Sequence, residues 1–247
     1  MTKALTTQGE KSLTKTGGNA VAAFAARAST VAPTSSPISQ APRTPRVIFA
    51  MDATASRAPT WSRAQKVQAE MFRAMEGKGE VQLASYGGGA FRASAWASDA
   101  RELLAAMQSV HCVAGMTQIS DTLAHVAREN RKQRISAAVF VGDTVEENAE
   151  ALIDQARRLG TLGIPVFVFH EVGSERAEPA MRSIAAVSGG AYARFQDGDP
   201  LGDLQPLLGA VAAFADGGRA ALLTYGERSG NEAVKAIGHQ LKLGKPD

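Results

Sequence analysis

Oxygen-bearing side chains lie in three predicted loops of the sequence. The loops contain DATAS, GMT and VGD, and their candidate residues are Asp52, Thr54, Ser56, Thr117 and Asp143. Carboxylate and hydroxyl oxygens are the donors that hard divalent cations such as Mg²⁺ prefer. These residues are far apart in the chain, so they can form a metal site only if the fold brings the three loops together.

The segments around these loops alternate between short apolar runs and longer amphipathic stretches. This alternation is typical of β-α units on a mostly parallel sheet. The runs RVIFAMD, ISAAVFVGD and IPVFVFHEV are almost continuously apolar, which indicates strands covered on both faces. VQLASYGGGAFRASAWAS instead predicts a hairpin that adds one antiparallel strand at an edge. The sequence therefore predicts an α/β fold that is doubly wound and Rossmann-like, with one antiparallel edge strand.

The predicted sheet gives the candidate residues a common location. In open α/β sheets, ligands bind beyond the carboxyl ends of the strands, at the point where the strand order reverses. The loops after RVIFAMD and after VFVGD would flank this crevice. We therefore expect Asp52 and Asp143 to lie on its two sides.

Four of the five candidate residues also have a purely structural interpretation. Asp143 and Thr144 can cap the helix that follows them, which is predicted to begin with the acidic pair EE, and Thr117 can cap the start of its own helix. Thr54 and Ser56 can be ordinary turn residues. These alternatives concern single residues, whereas a metal site depends on their joint placement.

The order of the three motifs resembles that of von Willebrand factor A domains. In that family, Asp-x-Ser/Thr-x-Ser, a later Gly-x-Thr and an Asp at the end of an apolar strand form the metal-ion-dependent adhesion site. The resemblance extends from Val47 to about Phe214 and includes the hairpin and the late SGGAY segment. The sequence departs from the family at Thr54, where Ser is more frequent, and at Thr144, where Gly is usual.

The resemblance implies a role for each candidate residue. Thr54, Ser56 and Thr117 would bind the metal directly through their hydroxyl oxygens, and Asp52 and Asp143 would act mainly through bound water. The metal would be Mg²⁺, with Mn²⁺ or Ca²⁺ as competitors. An open coordination position would bind an Asp or Glu of a partner protein. Cytosolic bacterial relatives act as adaptors to AAA+ ATPases or in stress responses such as tellurite resistance, so the resemblance implies a partner of that kind.

Two other functions compete with this non-enzymatic interaction module. RVIFAMDATAS also resembles the start of haloacid dehalogenase-like phosphatases, which would make the chain a Mg²⁺-dependent hydrolase or phosphotransferase that uses Asp52. Those enzymes usually have a second Asp two residues later, but this sequence has Thr54 there, so the general acid is missing. The last alternative is a von Willebrand-like scaffold with a degenerate metal site.

Composition divides the 247-residue chain into three parts. Residues 1–45 are basic and rich in Pro, Ser and Thr, which predicts a disordered tail, residues 46–216 form the predicted domain, and residues 217–247 are an extension of unassigned structure. The basic tail lacks the interleaved aromatic residues of a nucleic-acid-binding surface. Neither a secretory signal nor a membrane span is predicted, so we expect a cytoplasmic location.

Overall fold

A computed structural model describes residues 44–243 of the chain, with gaps at 62–64, 66–68, 70, 71, 74, 172, 173 and 196–199. The predicted disordered tail lies almost wholly outside the described residues, so its disorder stays a prediction. The apolar residues of TWSRAQKVQAEMFRAM recur at helical spacing, which predicts a first crossover helix, and three of them, Ala64, Val67 and Met71, also lie outside the described residues.

The described strands form one sheet. In chain order they are β1 Arg46–Asp52, β2 Glu80–Gly87, β3 Ala90–Ala97, β4 Ala137–Gly142, β5 Val166–Glu171 and β6 Tyr192–Phe195. Their order across the sheet is β3-β2-β1-β4-β5-β6. Every neighbouring pair is parallel except β2 and β3. The predicted doubly wound, mostly parallel sheet with one antiparallel edge strand is therefore confirmed.

Helices cover both faces of this sheet. In chain order they are α1 Ala100–Gln108, α2 Ile119–Lys132, α3 Ala149–Thr161, α4 Glu178–Val187, α5 Pro200–Ser229 and α6 Glu232–Leu243. A short 3₁₀ helix follows β1 at Ala55–Arg57. The residues described between positions 61 and 75 are also helical, as expected for the first crossover.

Strand β1 shows why its apolar run requires covering on both sides. Val47, Phe49 and Met51 belong to one core cluster, and Ile48 and Ala50 belong to another. Successive side chains of a strand point to opposite faces, so a continuous apolar run buries both faces. The first cluster includes residues of α1, α5 and α6, whereas the second includes residues of α2, α3 and α4. The result is a sheet between two helical layers.

The loop after β4 is longer than the sequence predicts. The predicted helix begins at Glu146, but α3 begins at Ala149, after an N-cap at Asn148. The Asn148 side chain accepts a hydrogen bond from Ala151 N at 3.0 Å, which is the favoured way to satisfy a free amide at a helix start. Glu146 and its neighbour Glu147 therefore belong to the loop.

The described part of the C-terminal extension packs against the domain. α5 continues past residue 216, the predicted end of the domain, to Ser229, although its backbone is not helical at Gly217 and Gly218. Gly218 has a φ of 66°, which a residue with a side chain rarely adopts. Four apolar side chains beyond this kink belong to the first core cluster: Leu222, Val234, Ile237 and Leu241.

One segment of α5 bears on the expectation that the chain has no membrane span. Residues 204–229 form a helix long and apolar enough to cross a membrane, by length and composition alone. That expectation is therefore not confirmed. In the structure, Leu207 and Leu208 of this segment are buried in the first core cluster, and the kinked glycines stand between Asp216 and Arg219.

Candidate metal site

The strand order reverses between β1 and β4, so the carboxyl ends of these strands lie side by side at the switch point. Asp52 ends β1, and Asp143 directly follows β4. The two strands are in parallel register, with Met51 beside Val141. A Cβ atom added to Gly142 would lie 3.4 Å from the Cβ of Asp52. The structure thus brings the first and last predicted motifs together at the expected crevice.

The loop after β1 directs its oxygens to one place through a short turn. Asp52 is fully buried, and its Oδ1 accepts a hydrogen bond from Thr54 N at 2.8 Å. Thr54 Oγ1 and Ser56 Oγ lie 3.0 Å apart. Adjacent oxygens around an octahedral Mg²⁺ are also about 3.0 Å apart, given metal-oxygen distances of about 2.1 Å. The spacing of the two hydroxyls therefore suits a shared cation.

Two carboxylate oxygens at this site lack a hydrogen-bond partner of good geometry among the described residues. They are the buried atoms Asp52 Oδ2 and Asp143 Oδ1. Burial raises the pKa of Asp52, and the nearby Asp143 carboxylate raises this pKa further. Buried polar atoms are nearly always hydrogen-bonded, so acceptors left open at the same strand ends suit a bound cation.

Thr117 is hydrogen-bonded to the loop that follows Asp143. Thr117 N donates to Glu146 Oε2 at 2.9 Å, and Glu146 N donates to Thr117 Oγ1 at 3.1 Å. Glu147 accepts from Ile119 N at 2.6 Å and from Ser120 N at 2.8 Å. These four bonds attach the start of α2 to the loop that begins at Asp143. In the sequence, both glutamates look like residues of the first turn of α3, so these contacts are not predicted from it.

The same contacts argue against the capping interpretations. α3 is capped by Asn148, so Asp143 does not cap it. The N-cap of α2 is Gln118, whose side chain makes no capping bond, and the open amides of α2 are satisfied by Glu147 instead. Thr117 and Asp143 therefore do not cap these helices, although Thr117 Oγ1 already accepts one hydrogen bond, from Glu146 N.

Arg57 also belongs to this cluster, although its sequence context does not mark it as a site residue. Its side chain is only 1% exposed, and its Nη1 forms an ion pair with Glu171 Oε2. Burial lowers the pKa of the Arg57 guanidinium, whereas the negative charges of Asp143 and Asp52 oppose this change. Arginine is seldom fully buried, so no sequence pattern predicts this placement.

His170, on β5, is hydrogen-bonded to the loop after β4. Its Nε2 donates to the backbone oxygen of Asp143 at 3.2 Å, and its Nδ1 accepts from Tyr192 Oη at 2.8 Å. Burial lowers the pKa of His170, which favours the neutral ring, in which Nε2 donates and Nδ1 accepts. His170 therefore positions Asp143, and both of its ring nitrogens are already engaged.

The donor set fits a hard cation better than a soft one. No group of three His, Cys, Asp or Glu side chains that could hold a metal occurs in the described part of the chain. The candidate set combines two carboxylates with three hydroxyls, which suits Mg²⁺, Mn²⁺ or Ca²⁺. The departure from a simple metal site is the buried positive charge of Arg57.

Comparisons with known proteins bear on the fold. No protein-family profile matches the sequence, and a search of curated proteins found no match. Among solved structures, the VWA domain of SpRpn10 has a TM-score of 0.55 and 15% identity, over 67% of this chain and 94% of that domain. The von Willebrand factor type A structure from Catenulispora acidiphila has a TM-score of 0.56 and 14% identity, over 70% of this chain and 43% of the other.

A further similar structure holds a metal. It is proximal thread matrix protein 1 from the mussel byssus, with zinc in its metal-ion-dependent adhesion site. Its TM-score is 0.53 at 12% identity, over 68% of this chain and 46% of the other. At such identities a structural likeness establishes architecture, and function has to be argued from the site. This chain therefore has the fold of a von Willebrand factor A domain.

Proposed function

We propose that this chain is a non-enzymatic, metal-dependent module that binds an acidic residue of a partner protein. The proposed metal ligands, direct or through water, are Asp52, Thr54, Ser56, Thr117 and Asp143. The observation that carries the proposal is the pair of buried carboxylate oxygens that make no well-formed hydrogen bond among the described residues, at adjacent strand ends and beside two hydroxyls 3.0 Å apart. Mg²⁺ is the expected cation, with Mn²⁺ or Ca²⁺ as alternatives.

The protein's own residues would prepare the cation to accept a ligand. Hydroxyl oxygens bind a metal without neutralising it, and the two carboxylates would act mainly through water. When bound, the cation therefore supplies an electrophilic position for a carboxylate from another molecule. Glu146, Glu147 and His170 hold the loops that carry Thr117 and Asp143, which would fix the site before a partner arrives.

Exposed apolar side chains beside the site favour a protein as the partner. Val113 is 48% exposed and Met116 is 63% exposed, and both lie in the loop that leads to Thr117. Large apolar side chains are costly to leave in water, and Met is common at binding surfaces. A groove of about 470 Å³ also adjoins this loop, and Arg92 and His111 line it. An acidic segment with apolar neighbours would match this surface.

The hydrolase alternative finds less support. The position two residues after Asp52 is Thr54, whose backbone amide already occupies one oxygen of Asp52. A threonine hydroxyl is a poor general acid, so a phosphoryl group at Asp52 would lack the proton donor that its leaving group needs. The degenerate-scaffold alternative has one observation in its favour, the buried charge of Arg57.

The proposed cellular setting rests on the sequence motifs alone. We propose a cytoplasmic adaptor role, with an AAA+ ATPase or a stress-response protein such as a tellurite-resistance component as the partner. The support is the resemblance of the three motifs to those of cytosolic bacterial relatives.

A peptide array tests the proposed function directly. Each peptide would carry one Asp or Glu in an apolar setting, and its matched control would carry Asn or Gln. We expect the acidic peptides to retain the protein in Mg²⁺ and to lose it in EDTA. Ser56→Ala should lower this retention, whereas Ser183→Ala, which removes a hydroxyl bonded to Pro179 O on α4, should not. Equal retention of acidic and amide peptides would contradict the proposal.

A further inference from the structure

The candidate metal site contains a permanent positive charge of the protein itself. Arg57 is 1% exposed and pairs with Glu171, which lies at the end of β5. Arg57 N donates to Thr54 O at 3.1 Å, which places Arg57 beside the candidate ligands, and the negative charges of Asp143 and Asp52 oppose the lowering of its pKa by burial. A guanidinium stays protonated in proteins, so this charge cannot be removed by losing a proton. The cluster therefore balances three carboxylates against one fixed cation.

The charge of Arg57 offsets a repulsion between carboxylates in the metal-free protein. Two carboxylates brought together at the ends of β1 and β4 repel each other, and burial raises that cost. A guanidinium at the same place offsets the repulsion without a metal. A divalent cation that binds to Asp52 and Asp143 must instead approach the positive charge of Arg57, and in a poorly solvated site this repulsion is weakly screened.

We propose that Arg57 is an internal counter-cation that competes with the divalent metal, and that Glu171 determines how strongly it competes. This inference rests on the proposed function. While the guanidinium pairs with Glu171, part of its field is neutralised and the metal can bind. Without Glu171, the whole charge of Arg57 would act on the aspartates. The residue pair thus sets the metal affinity of the site without contacting the partner protein.

Variants at the two positions should change metal affinity in opposite directions. In calorimetric titrations with Mn²⁺, Arg57→Gln should bind at least about tenfold more tightly than the wild type, because a like charge is removed. Glu171→Gln should bind at least about tenfold more weakly, because Arg57 loses its neutralising partner. Arg57→Lys, whose ammonium can lose its proton when buried, should have an affinity for Mn²⁺ between those of the wild type and Arg57→Gln.

A second buried arginine provides a matched control. Arg46 is 5% exposed and pairs with Glu80 at the other end of β1. Arg46→Gln should lower the melting temperature but leave the Mn²⁺ affinity unchanged. Melting curves with and without Mg²⁺ add a readout independent of affinity. Arg57→Gln should melt at a lower temperature than the wild type without metal, and Mg²⁺ should raise its melting temperature more than it raises that of the wild type.

The outcomes separate this inference from the proposed function. If the wild type and Arg57→Gln bind Mn²⁺ equally well, the counter-cation proposal is overturned and the metal site stands. If only Arg57→Gln binds Mn²⁺, the guanidinium excludes the metal, which supports this proposal and contradicts metal dependence of the natural chain. If neither binds Mn²⁺, both proposals fail. If Arg57→Gln folds only in the presence of metal, the guanidinium does replace a cation, as proposed.

Discussion

One arginine is buried at each end of β1, and the contacts of the two arginines differ. At the amino end, Arg46 Nε lies 3.0 Å from Glu80 Oε2, and the guanidinium stacks 3.7 Å over the ring of Trp96. At the carboxyl end, Arg57 lies near carboxylates whose buried oxygens make no well-formed hydrogen bond. The amino end also leaves one buried atom, Arg46 Nε, without a well-formed hydrogen bond, but this donor is ion-paired with Glu80. The carboxyl end instead leaves carboxylate acceptors open, which suits a bound cation.

The loops explain this difference. At the amino end, short connections close the sheet with backbone bonds, such as Glu80 N to Pro45 O at 2.8 Å and Ser136 N to Arg46 O at 2.8 Å. At the carboxyl end, the chain leaves β1 and β4 toward opposite edges, and longer loops remain over the gap. A Cβ on Gly87 would lie 2.4 Å from Ala53 O, so the hairpin approaches these loops closely.

The largest expected effect lies at the carboxyl end. Asp143→Asn keeps the shape of the side chain but removes its charge, so the affinity for Mn²⁺ should fall by about 100-fold. The measurement is a calorimetric titration of metal-stripped protein. Asp154→Asn, on the surface of α3, is the control and should bind like the wild type. Unchanged affinity in Asp143→Asn would remove the contrast between the two ends.

The corresponding change at the amino end should affect stability instead. Arg46→Gln loses the ion pair with Glu80 and the contact with Trp96, which should lower the free energy of unfolding by about 2 kcal/mol. This loss of stability is smaller than for a fully buried ion pair because the Glu80 side chain is 36% exposed. Urea denaturation measures the change. A loss of metal affinity in this variant would show that the two ends are not independent.

A smaller effect is expected where Glu147 joins the loop after β4 to α2. Glu147→Gln weakens two charge-assisted hydrogen bonds, from Ile119 N and Ser120 N, so the free energy of unfolding should fall by about 1 kcal/mol. Hydrogen exchange of these two amides should become faster. Glu150→Gln, in the first turn of α3, serves as the matched control. Unchanged protection of the α2 amides would show that Glu147 does not hold this helix start.

The smallest expected effect is the dependence of stability on pH that arises from His125 on α2. His125 Nε2 donates a hydrogen bond to Gln82 Oε1 at 2.7 Å, and burial lowers the pKa of His125 from 6.5. The folded protein therefore binds fewer protons at His125 than the unfolded chain. This contribution to stability is complete above pH 6.5 and is lost as the pH falls toward the lowered value.

The pH effect is measured by urea denaturation from about pH 8 to about pH 5. The free energy of unfolding of the wild type should fall more steeply with acidity than that of His125→Gln. Glu129 opposes the shift at His125, so the difference should be modest. Identical pH profiles for the two proteins would contradict the assignment.

Much of the fold follows from patterns in the sequence. The apolar run of β1 and the glycine turn of the β2-β3 hairpin are local features, and each determines its element without help from distant residues. The carboxyl-end rule for open sheets then places Asp52 and Asp143 together. The kinked continuation of α5 is harder to predict, because Gly217 and Gly218 look like a helix end until the later apolar residues find the core.

The sequence predicts less about the surroundings of the candidate ligands. Arg57 is a polar residue in a loop, and nothing local shows that it is buried against Glu171 from β5. Glu146 and Glu147 look like first-turn acids of α3, yet they bond to α2. These contacts join residues that are distant in the chain, and only the folded arrangement of the loops creates them.

In the proposed metal site, the loops after β1 and β4 and before α2 bind one cation together. The most direct test is a calorimetric titration of metal-stripped protein with Mn²⁺, in the wild type, Ser56→Ala, Thr117→Ala and the double variant. One saturable site, weakened by each single change and with non-additive losses in the double variant, is the predicted result. Absence of saturable binding in the wild type, or binding that neither change affects, would contradict the claim.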